Sequence, residues 1–222
     1  MVAPMADQDS RAGSRYTTGE LLDFTNRVHA AHDAGLSAAF DAPGREDMPA
    51  IQVGASEGKT LEILMQMIGA KKIVEVGTLA GYSAIRLARG MADGGMVWTI
   101  EFDPRHAEVA RANIETAGMA DDIEVLVGAG VDVLPTLEAH GPFDAVFIDA
   151  DKGNYDKYGI WAADNLRVGG LLIGDNAFYF GELLNESKPE AAAMRRFHEQ
   201  AAERFDSVCV PTPDGMLLGV KR

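Results

Sequence analysis

Five groups of small, acidic or amide residues stand out in this sequence because their side chains suit ligand chemistry. They begin at Glu75, Glu101, Gly128, Asp149 and Asp175. Carboxylate and amide oxygens bind hard cations and accept hydrogen bonds from hydroxyl groups. Glycines let the backbone approach a ligand closely, and a lysine within reach can take a proton. Together these residue types indicate a site that handles a polar small molecule.

Each of the five groups directly follows a short apolar run that predicts a β-strand. Helical stretches at about 82–91, 104–117, 131–139 and 154–165 separate the runs, and strands alternating with helices predict βαβ units and a parallel sheet. Because ligands bind beyond the carboxyl ends of such strands, we expect all five groups at one edge. The predicted strands are Ile73–Val76, Val97–Ile100, Ile123–Val127, Ala145–Ile148 and Leu171–Ile173.

The two ends of the chain differ from this alternation. A capping box at Thr17 and Glu20 opens a helical pattern that continues to Leu36, and residues 41–50 are predicted to be a connection before a second helix that follows Ser56. At the other end, a helix over about 189–202 precedes strands 207–210 and 216–220, which predict an antiparallel hairpin at the sheet edge. Residues 1–15 are polar and are expected to fray.

The predicted fold is therefore α/β, a Rossmann-like, doubly wound, mostly parallel sheet with an antiparallel C-terminal edge hairpin. We expect one structural domain, in which an N-terminal helical segment (residues 1–50) packs on a main domain (residues 51–222). A chain of 222 residues is long enough to build one such core.

Composition and charge exclude several classes of function. The net charge of −14 and the lack of a basic stripe argue against a nucleic-acid partner, and no apolar run approaches the roughly 18–20 residues of a membrane helix. The single cysteine, Cys209, rules out an internal disulfide and a thiolate metal cluster. The N-terminus has no apolar core typical of a secretory signal, so we expect a cytoplasmic protein.

The first loop reads E-x-G-x-x-x-G from Glu75 to Gly81. A dinucleotide site favours G-x-G-x-x-G, so the missing third glycine and the acid at Glu75 argue against a pyrophosphate ligand. Glu101 stands 26 residues further on, at the end of the next strand, where a carboxylate can chelate two ribose hydroxyls. The alternative for Glu101 is a favourable charge at the start of the next helix, worth about 0.3–1 kcal/mol.

Taken in order, these groups resemble those of the S-adenosylmethionine-dependent, cation-dependent O-methyltransferases, the relatives of catechol and caffeoyl-CoA O-methyltransferases. The resemblance runs from about Ile51 to Arg222, and it is carried by EVGTLAGYSAIRLA, FDAVFIDADKGNY and VGGLLIGDN, which are close to the small bacterial members. It implies a class I methyltransferase fold and methyl transfer to a hydroxyl of a small, vicinal dihydroxy aromatic compound. It also implies a homodimer.

The resemblance further implies a role for each matching residue. Lys152 would be the general base. A divalent metal, Mg²⁺ with Mn²⁺ or Ca²⁺ as alternatives, would be held by Asp149, Asp175 and Asn176. The methyl donor would contact Val53 at its methionine end, the loop residues Glu75, Gly77 and Thr78, Ser83 at its carboxylate, Glu101 at its ribose, Ala129 and Gly130 beside its adenine, and Asp149 and Asp151.

Other interpretations stay open for the sequence. They are a metal-independent methyltransferase with another acceptor, an NAD(P)-dependent oxidoreductase and a non-catalytic binding protein of the same fold. Taken singly, Asp175-Asn176 suits a turn, Asp149 a helix cap and Lys152 a solvated surface. Phe178 and Phe180, which follow Asn176 closely, suit either core packing or stacking on a phenolic ring. The sequence does not name the acceptor.

Overall fold

The computed structural model describes residues 17–222, so the stretch 1–15, which we predict to fray, lies outside the described residues. Seven strands form a single sheet: β1 (Lys72–Val76), β2 (Met96–Glu101), β3 (Ile123–Val127), β4 (Phe143–Ile148), β5 (Leu166–Gly174), β6 (Phe205–Val210) and β7 (Met216–Lys221). Their order in the sheet is β3-β2-β1-β4-β5-β7-β6. The strands from β1 to β5 pair in parallel, whereas β7 pairs antiparallel with both β5 and β6. The predicted mostly parallel sheet and its antiparallel C-terminal hairpin are confirmed.

Helices flank the sheet on both faces and precede it in the chain. They are α1 (Gly19–His29), α2 (Ala34–Arg45), α3 (Ala55–Ile68), α4 (Tyr82–Gly90), α5 (Pro104–Thr116), the single turn α6 (Gly130–Val133), α7 (Tyr155–Asn165) and α8 (Pro189–Arg204). Two 3₁₀ segments, Leu134–His140 and Lys152–Asn154, complete the set. None of the helices within residues 17–222 combines the length and the apolar composition that a membrane span needs.

The central strands are apolar on both faces because each face is covered by helices. In β1, Ile73 belongs to the core layer that includes residues of α3, α4 and α5, whereas Val74 belongs to the layer that includes residues of α7 and α8. Alternate residues of a strand point to opposite faces, so nearly continuous apolar runs are what a doubly covered sheet requires. The parallel register pairs Val76 with Ile100 and Ile148, and Ile148 with Gly174, which brings the carboxyl ends of four strands into line.

Two helix predictions are corrected by the structure. The helical pattern that we expect from Thr17 to Leu36 is two helices: Thr18 caps the first through Leu21 N, and Asp33 caps a second through Leu36 N. The second helix runs to Arg45, through part of the predicted connection. Pro43 lies in its last turn, where the fixed φ of proline is compatible with helical backbone although its missing N–H removes one hydrogen bond.

The helical segment predicted over about 131–139 is present, but it is not one α-helix. The chain forms one α-helical turn at residues 130–133 and then a 3₁₀ segment. Pro135 lacks an N–H group, so an α-helical ladder cannot continue through this position without losing a hydrogen bond.

Candidate active site

A cavity of about 770 Å³ opens at the carboxyl ends of the parallel strands. Ten of the thirteen residues singled out in the sequence line it: Gly77, Thr78, Ser83, Glu101, Ala129, Gly130, Asp149, Asp151, Lys152 and Asn176. The other three, Val53, Glu75 and Asp175, are buried side chains that are not among the residues lining it. The parallel register therefore does bring the five groups to one edge of the sheet.

The loop between β1 and α4 (residues 77–81, the glycine loop) requires glycine at both of its ends. Gly77 has φ of 102°, and a Cβ on it would lie 1.9 Å from the carbonyl oxygen of Asp149. Any side chain at Gly77 would therefore push apart the ends of β1 and β4. Gly81 has φ of 86° and is the N-cap residue of α4, which begins at Tyr82 and Ser83.

Glu101 fixes this loop to the end of β2. Its Oε2 accepts hydrogen bonds from the backbone N–H groups of Thr78 (3.2 Å) and Leu79 (2.7 Å), and its Oε1 accepts one from Asp103 N (3.0 Å). His106 Nδ1 lies 3.6 Å from the same Oε1. An ionised carboxylate has about four lone-pair sites, so Glu101 retains capacity for one hydroxyl donor from a ligand. Through Asp103 N, Glu101 also contacts the start of α5. This contact agrees with the alternative interpretation from the sequence, a favourable charge at the start of that helix.

Glu75 lies beneath the glycine loop and is completely buried. Thr99 donates a hydrogen bond to its Oε2, and Thr78 and Thr99 are joined through their hydroxyls at 2.5 Å. Burial raises the pKa of Glu75 to about 8, although the hydroxyls of Ser83 and Thr99 lower it in part. Burial therefore favours the neutral form of Glu75 near neutral pH, and the side chain supports the loop from behind the cavity wall.

Lys152 and Asp149 form an ion pair on the neighbouring part of the cavity wall. Lys152 Nζ lies 3.2 Å from Asp149 Oδ1 and donates a hydrogen bond to the Tyr155 hydroxyl at 2.7 Å. That hydroxyl in turn lies within hydrogen-bond distance of the carbonyl oxygens of Ile148 (3.1 Å) and Asp175 (3.0 Å), which share its single proton. Tyr155 thus joins the ends of β4 and β5 and directs the lysine. No pattern in the sequence indicates this role for Tyr155.

The predicted metal ligands are two carboxylates and one amide. Burial and the negative charge of Asp149 raise the pKa of Asp175 to about 7, which indicates that the two carboxylates are close enough to repel one another. Asn176 follows in a left-handed conformation (φ of 51°) and lines the cavity. Within residues 17–222, no group of three His, Cys, Asp or Glu side chains forms a metal site. An all-oxygen set of two carboxylates and an amide nevertheless fits a hard divalent cation.

Asp151, two residues after Asp149, is held by two hydrogen bonds. Tyr158 donates a hydrogen bond to its Oδ1 at 2.6 Å, and Asn154 Nδ2 donates to its Oδ2 at 2.5 Å. Burial and this contact raise the pKa of Tyr158 well above its usual value. A Cβ on Gly130, which we expect beside the adenine of the donor, would lie 2.9 Å from the Tyr158 ring. Close packing against Tyr158 is therefore a second reason for glycine at this position.

Several lining residues are not found from the sequence. Pro49, Ile51 and Gln52 form one stretch of the wall, although the sequence predicts only a connection over residues 41–50. The neighbouring Val53, which we expect at the methionine end of a cofactor, is a buried member of the core. Tyr82 also lines the cavity. No local pattern distinguishes these residues from ordinary loop and helix positions.

The two phenylalanines after Asn176 have different environments. Phe178 packs its ring against Gly215 of the C-terminal hairpin, where a Cβ would lie 2.8 Å from the ring. Phe180 is 67% exposed and lines the cavity. Phe178 is therefore a half-buried ring that packs on the C-terminal hairpin, whereas Phe180 is the ring available to a ligand.

Comparison with known proteins gives a consistent result. A family model described as O-methyltransferase matches residues 36–222. The chain is 42% identical over 207 residues to a catechol O-methyltransferase of Mycobacterium tuberculosis, covering 90% of this chain and 94% of the relative. It is also 42% identical to a catechol O-methyltransferase of Niastella koreensis, covering 85% and 90%. A crystal structure of the O-methyltransferase from Bacillus cereus in complex with SAH superimposes with a TM-score of 0.88 at 36% identity, covering 91% of this chain and 97% of that one.

Proposed function

The chain belongs to the O-methyltransferase family, and from this membership and the site geometry we propose the reaction in more detail. The protein transfers a methyl group from S-adenosylmethionine to one hydroxyl of a small vicinal dihydroxy aromatic compound, assisted by a divalent metal. The observation that carries the proposal is that Asp149, Lys152 and Asn176 line the same cavity as the glycine loop and Glu101. Residues suited to a hydroxyl acceptor thus lie beside residues suited to the methyl donor.

In this proposal the methyl donor lies along the ends of β1, β2 and β3. Glu101 accepts a hydrogen bond from a ribose hydroxyl, and the start of α4 at Ser83 faces the methionine carboxylate. Ala129 and Gly130 lie beside the adenine. The Bacillus cereus relative is described in complex with SAH, the product form of this donor, which supports the proposed cofactor.

Asp149, Asp175 and Asn176 are the proposed metal ligands. A hard cation such as Mg²⁺ at this position would lower the pKa of a neighbouring substrate hydroxyl and fix its direction. The mutual repulsion of Asp149 and Asp175 supports this proposal, because a cation between them would relieve it.

Lys152 is the proposed base. Its Nζ is held by the Tyr155 hydroxyl and Asp149, and in its neutral amine form it can receive the hydroxyl proton at this defined place. The substrate oxygen then forms a bond to the methyl carbon while the carbon–sulfur bond of the sulfonium breaks. The products are an aryl methyl ether, S-adenosylhomocysteine and the proton on Lys152. Holding the two reactants in line supplies up to about 7–11 kcal/mol in favourable cases.

The charges around the cavity favour a free phenol over an acyl-CoA phenol as the acceptor. Glu101, Asp149 and Asp151 line the cavity, whereas the basic lining residues among residues 17–222 are Lys152 and His106. Lys152 already pairs with Asp149, and His106 lies beside Glu101. The several phosphates of coenzyme A would therefore meet little compensating positive charge, and the whole chain carries a net charge of −14.

We also propose a cytoplasmic homodimer. Helix α1 has no buried residue and exposes Leu21, Leu22, Phe24 and Val28, an apolar surface that a second subunit could cover. The single cysteine gives no disulfide that would require an oxidising compartment. Light scattering at micromolar concentration should report twice the mass of 23.7 kDa, and a monomer would contradict the dimer.

The reaction is tested by incubating the purified protein with S-adenosylmethionine and a panel of acceptors. We expect methylation of free catechols, weak activity with monophenols and with acyl-CoA phenols, and loss of activity with EDTA that Mg²⁺ or Mn²⁺ restores. Asp175→Ala should behave like the chelated enzyme while still binding S-adenosylhomocysteine. Full activity in the presence of EDTA would instead support the metal-independent methyltransferase, and binding of NADH in preference to S-adenosylhomocysteine would support the oxidoreductase.

A further inference from the structure

A buried arginine that the proposed reaction does not use lies on helix α4, one turn after the cavity-lining Tyr82. Arg86 is 2% exposed, and its guanidinium donates to three acceptors. Its Nε donates to the Tyr82 hydroxyl (3.1 Å), one terminal nitrogen donates to Glu62 Oε2 (2.9 Å), and the other donates to the carbonyl oxygen of Ala30 (3.3 Å). Glu62 is therefore the counter-charge of the buried guanidinium, and it also pairs with Lys59.

The Tyr82 hydroxyl extends this set of contacts into the N-terminal segment (residues 17–50). Because Arg86 donates to that hydroxyl, its own proton is available to His32 Nε2, which lies 2.8 Å away. Burial and the charge of Arg86 lower the pKa of His32, which favours the neutral ring that can accept this proton. Gly58 makes room for the arrangement, because a Cβ there would lie 2.8 Å from the Tyr82 ring.

The same contacts reach a second part of the cavity wall, the stretch formed by residues 49–52. The rings of His32, Phe40 and Tyr82 pack on one another with centroids 4.9–5.2 Å apart. The carbonyl oxygen of Phe40 accepts a hydrogen bond from Gln52 Nε2 at 2.8 Å, and Gln52 lines the cavity. A continuous series of contacts therefore joins Tyr82, at the start of α4, to the wall formed by residues 49–52.

We propose that Arg86 is a positioning residue, which holds Tyr82 against the His32–Phe40 ring pair and so sets the spacing between the two walls of the methyl-donor site. Arg86 itself does not line the cavity. The inference rests on the proposed function in one respect, that S-adenosylmethionine occupies this cavity. A guanidinium suits the role because its planar fork can donate in three directions at once, which a lysine ammonium on a flexible stem does not reproduce.

The test compares Arg86→Met, which keeps apolar bulk, with the wild type and with Arg89→Met. Arg89 is a matched control, since it lies on the same helix and pairs with Asp33 of the N-terminal segment at 2.8 Å, whereas the hydrogen bond to the Tyr82 hydroxyl from α4 comes from Arg86. For Arg86→Met we expect a rise of about tenfold in the KM for S-adenosylmethionine and in the Kd for S-adenosylhomocysteine, with kcat within threefold of the wild type. Arg86→Lys should recover part of the loss, and Arg89→Met should stay within twofold throughout.

A purely structural role predicts a different result, namely a lower Tm for Arg86→Met with KM and Kd within twofold of the wild type. That result would overturn the proposal. If Arg86→Met does not fold, His32→Phe replaces it, because it keeps the ring and removes the acceptor at a position outside the cavity lining. We expect a rise of about threefold in the Kd for His32→Phe, and an unchanged Kd would likewise overturn the proposal. A wild-type protein that does not bind S-adenosylhomocysteine would contradict the proposed function instead.

Discussion

Two neighbouring parts of the cavity wall are built from different kinds of contact. On the glycine-loop side, at the ends of β1 and β2, backbone N–H groups donate to Glu101 and the neutral Glu75 lies buried below. On the lysine side, at the ends of β4 and β5, charged side chains face one another, with Lys152 beside Asp149 and Asp149 repelling Asp175. The first arrangement suits holding a ligand in place, and the second suits moving a proton and stabilising charge.

This difference makes the two sides separable by mutation. A side chain on the lysine side should change turnover more than ligand affinity, because its charge acts on the reacting hydroxyl. A side chain on the glycine-loop side should change affinity more than turnover, because its contacts are made equally before and during the reaction.

The largest effect is expected for Lys152→Ala. Loss of a general base typically lowers kcat by about 10²–10⁴-fold, and S-adenosylhomocysteine should still bind within a few-fold of the wild type. Lys152→Arg should be a poor replacement, since its guanidinium remains protonated. Steady-state kinetics with a catechol of high hydroxyl pKa, together with calorimetric titration of S-adenosylhomocysteine, measures both quantities.

Lys157→Ala is the matched control, because Lys157 lies on the next helix, α7. Within the described residues, its Nζ forms a hydrogen bond only with the side chain of Asn154. An acceptor whose hydroxyl is already ionised at the assay pH should be less sensitive to Lys152→Ala. Near-normal turnover of Lys152→Ala with the high-pKa catechol would show that the lysine is only a neighbour of the reacting oxygen.

A smaller effect is expected for Glu101→Ala on the glycine-loop side. Each hydrogen bond to a charged group contributes about 1.5–3 kcal/mol, so the Kd for S-adenosylhomocysteine should rise tenfold or more. Glu101→Gln keeps one oxygen acceptor and should lie between the wild type and Glu101→Ala. The exposed Glu108 on α5 provides a control, as Glu108→Ala removes a carboxylate outside the cavity. An unchanged Kd for Glu101→Ala would contradict its role in holding the donor.

The sheet and the edge at which the site lies can be predicted from the sequence, because both follow from local patterns. Continuous apolar runs mark strands covered on both faces, and parallel strands place whatever follows them at one edge. A close backbone approach at Gly77 is also predictable, because a glycine directly after the first strand permits it. The structure shows that a side chain there is excluded.

The remaining features depend on contacts between residues distant in the chain. Arg86 meets Glu62 and Ala30 at separations of 24 and 56 residues, and no local pattern records such a pairing. The raised pKa of Glu75 is hidden for a related reason. The sequence shows that Glu75 lies in a strand, but the neighbours that shift its pKa come from β2, from Asp149 just after β4 and from the start of α4. By contrast, the break at Pro135 follows from proline chemistry and is available in the sequence.

The last expected effect is one on stability, not on turnover or affinity, and it concerns the pH dependence of unfolding for Glu75→Gln. The folded-state pKa of Glu75 is about 8, whereas the ordinary pKa of a glutamate, which represents the unfolded chain, is 4.5. Between these values the folded protein keeps a proton that the unfolded chain releases, so this group lowers the free energy of unfolding by about 1.4 kcal/mol for each pH unit as pH rises. Below pH 4.5 both states are protonated and the effect vanishes.

The glutamine of the Glu75→Gln variant does not titrate, and its amide oxygen can accept the Thr99 hydrogen bond. Urea unfolding of both proteins from about pH 5 to 8 should therefore show the variant gaining stability relative to the wild type as pH increases. The contribution of Asp175 is common to both proteins and cancels in the comparison. Parallel pH profiles would show that Glu75 is ionised in the folded protein, and the contrast between a neutral support under the glycine loop and a charged lysine side would then be wrong.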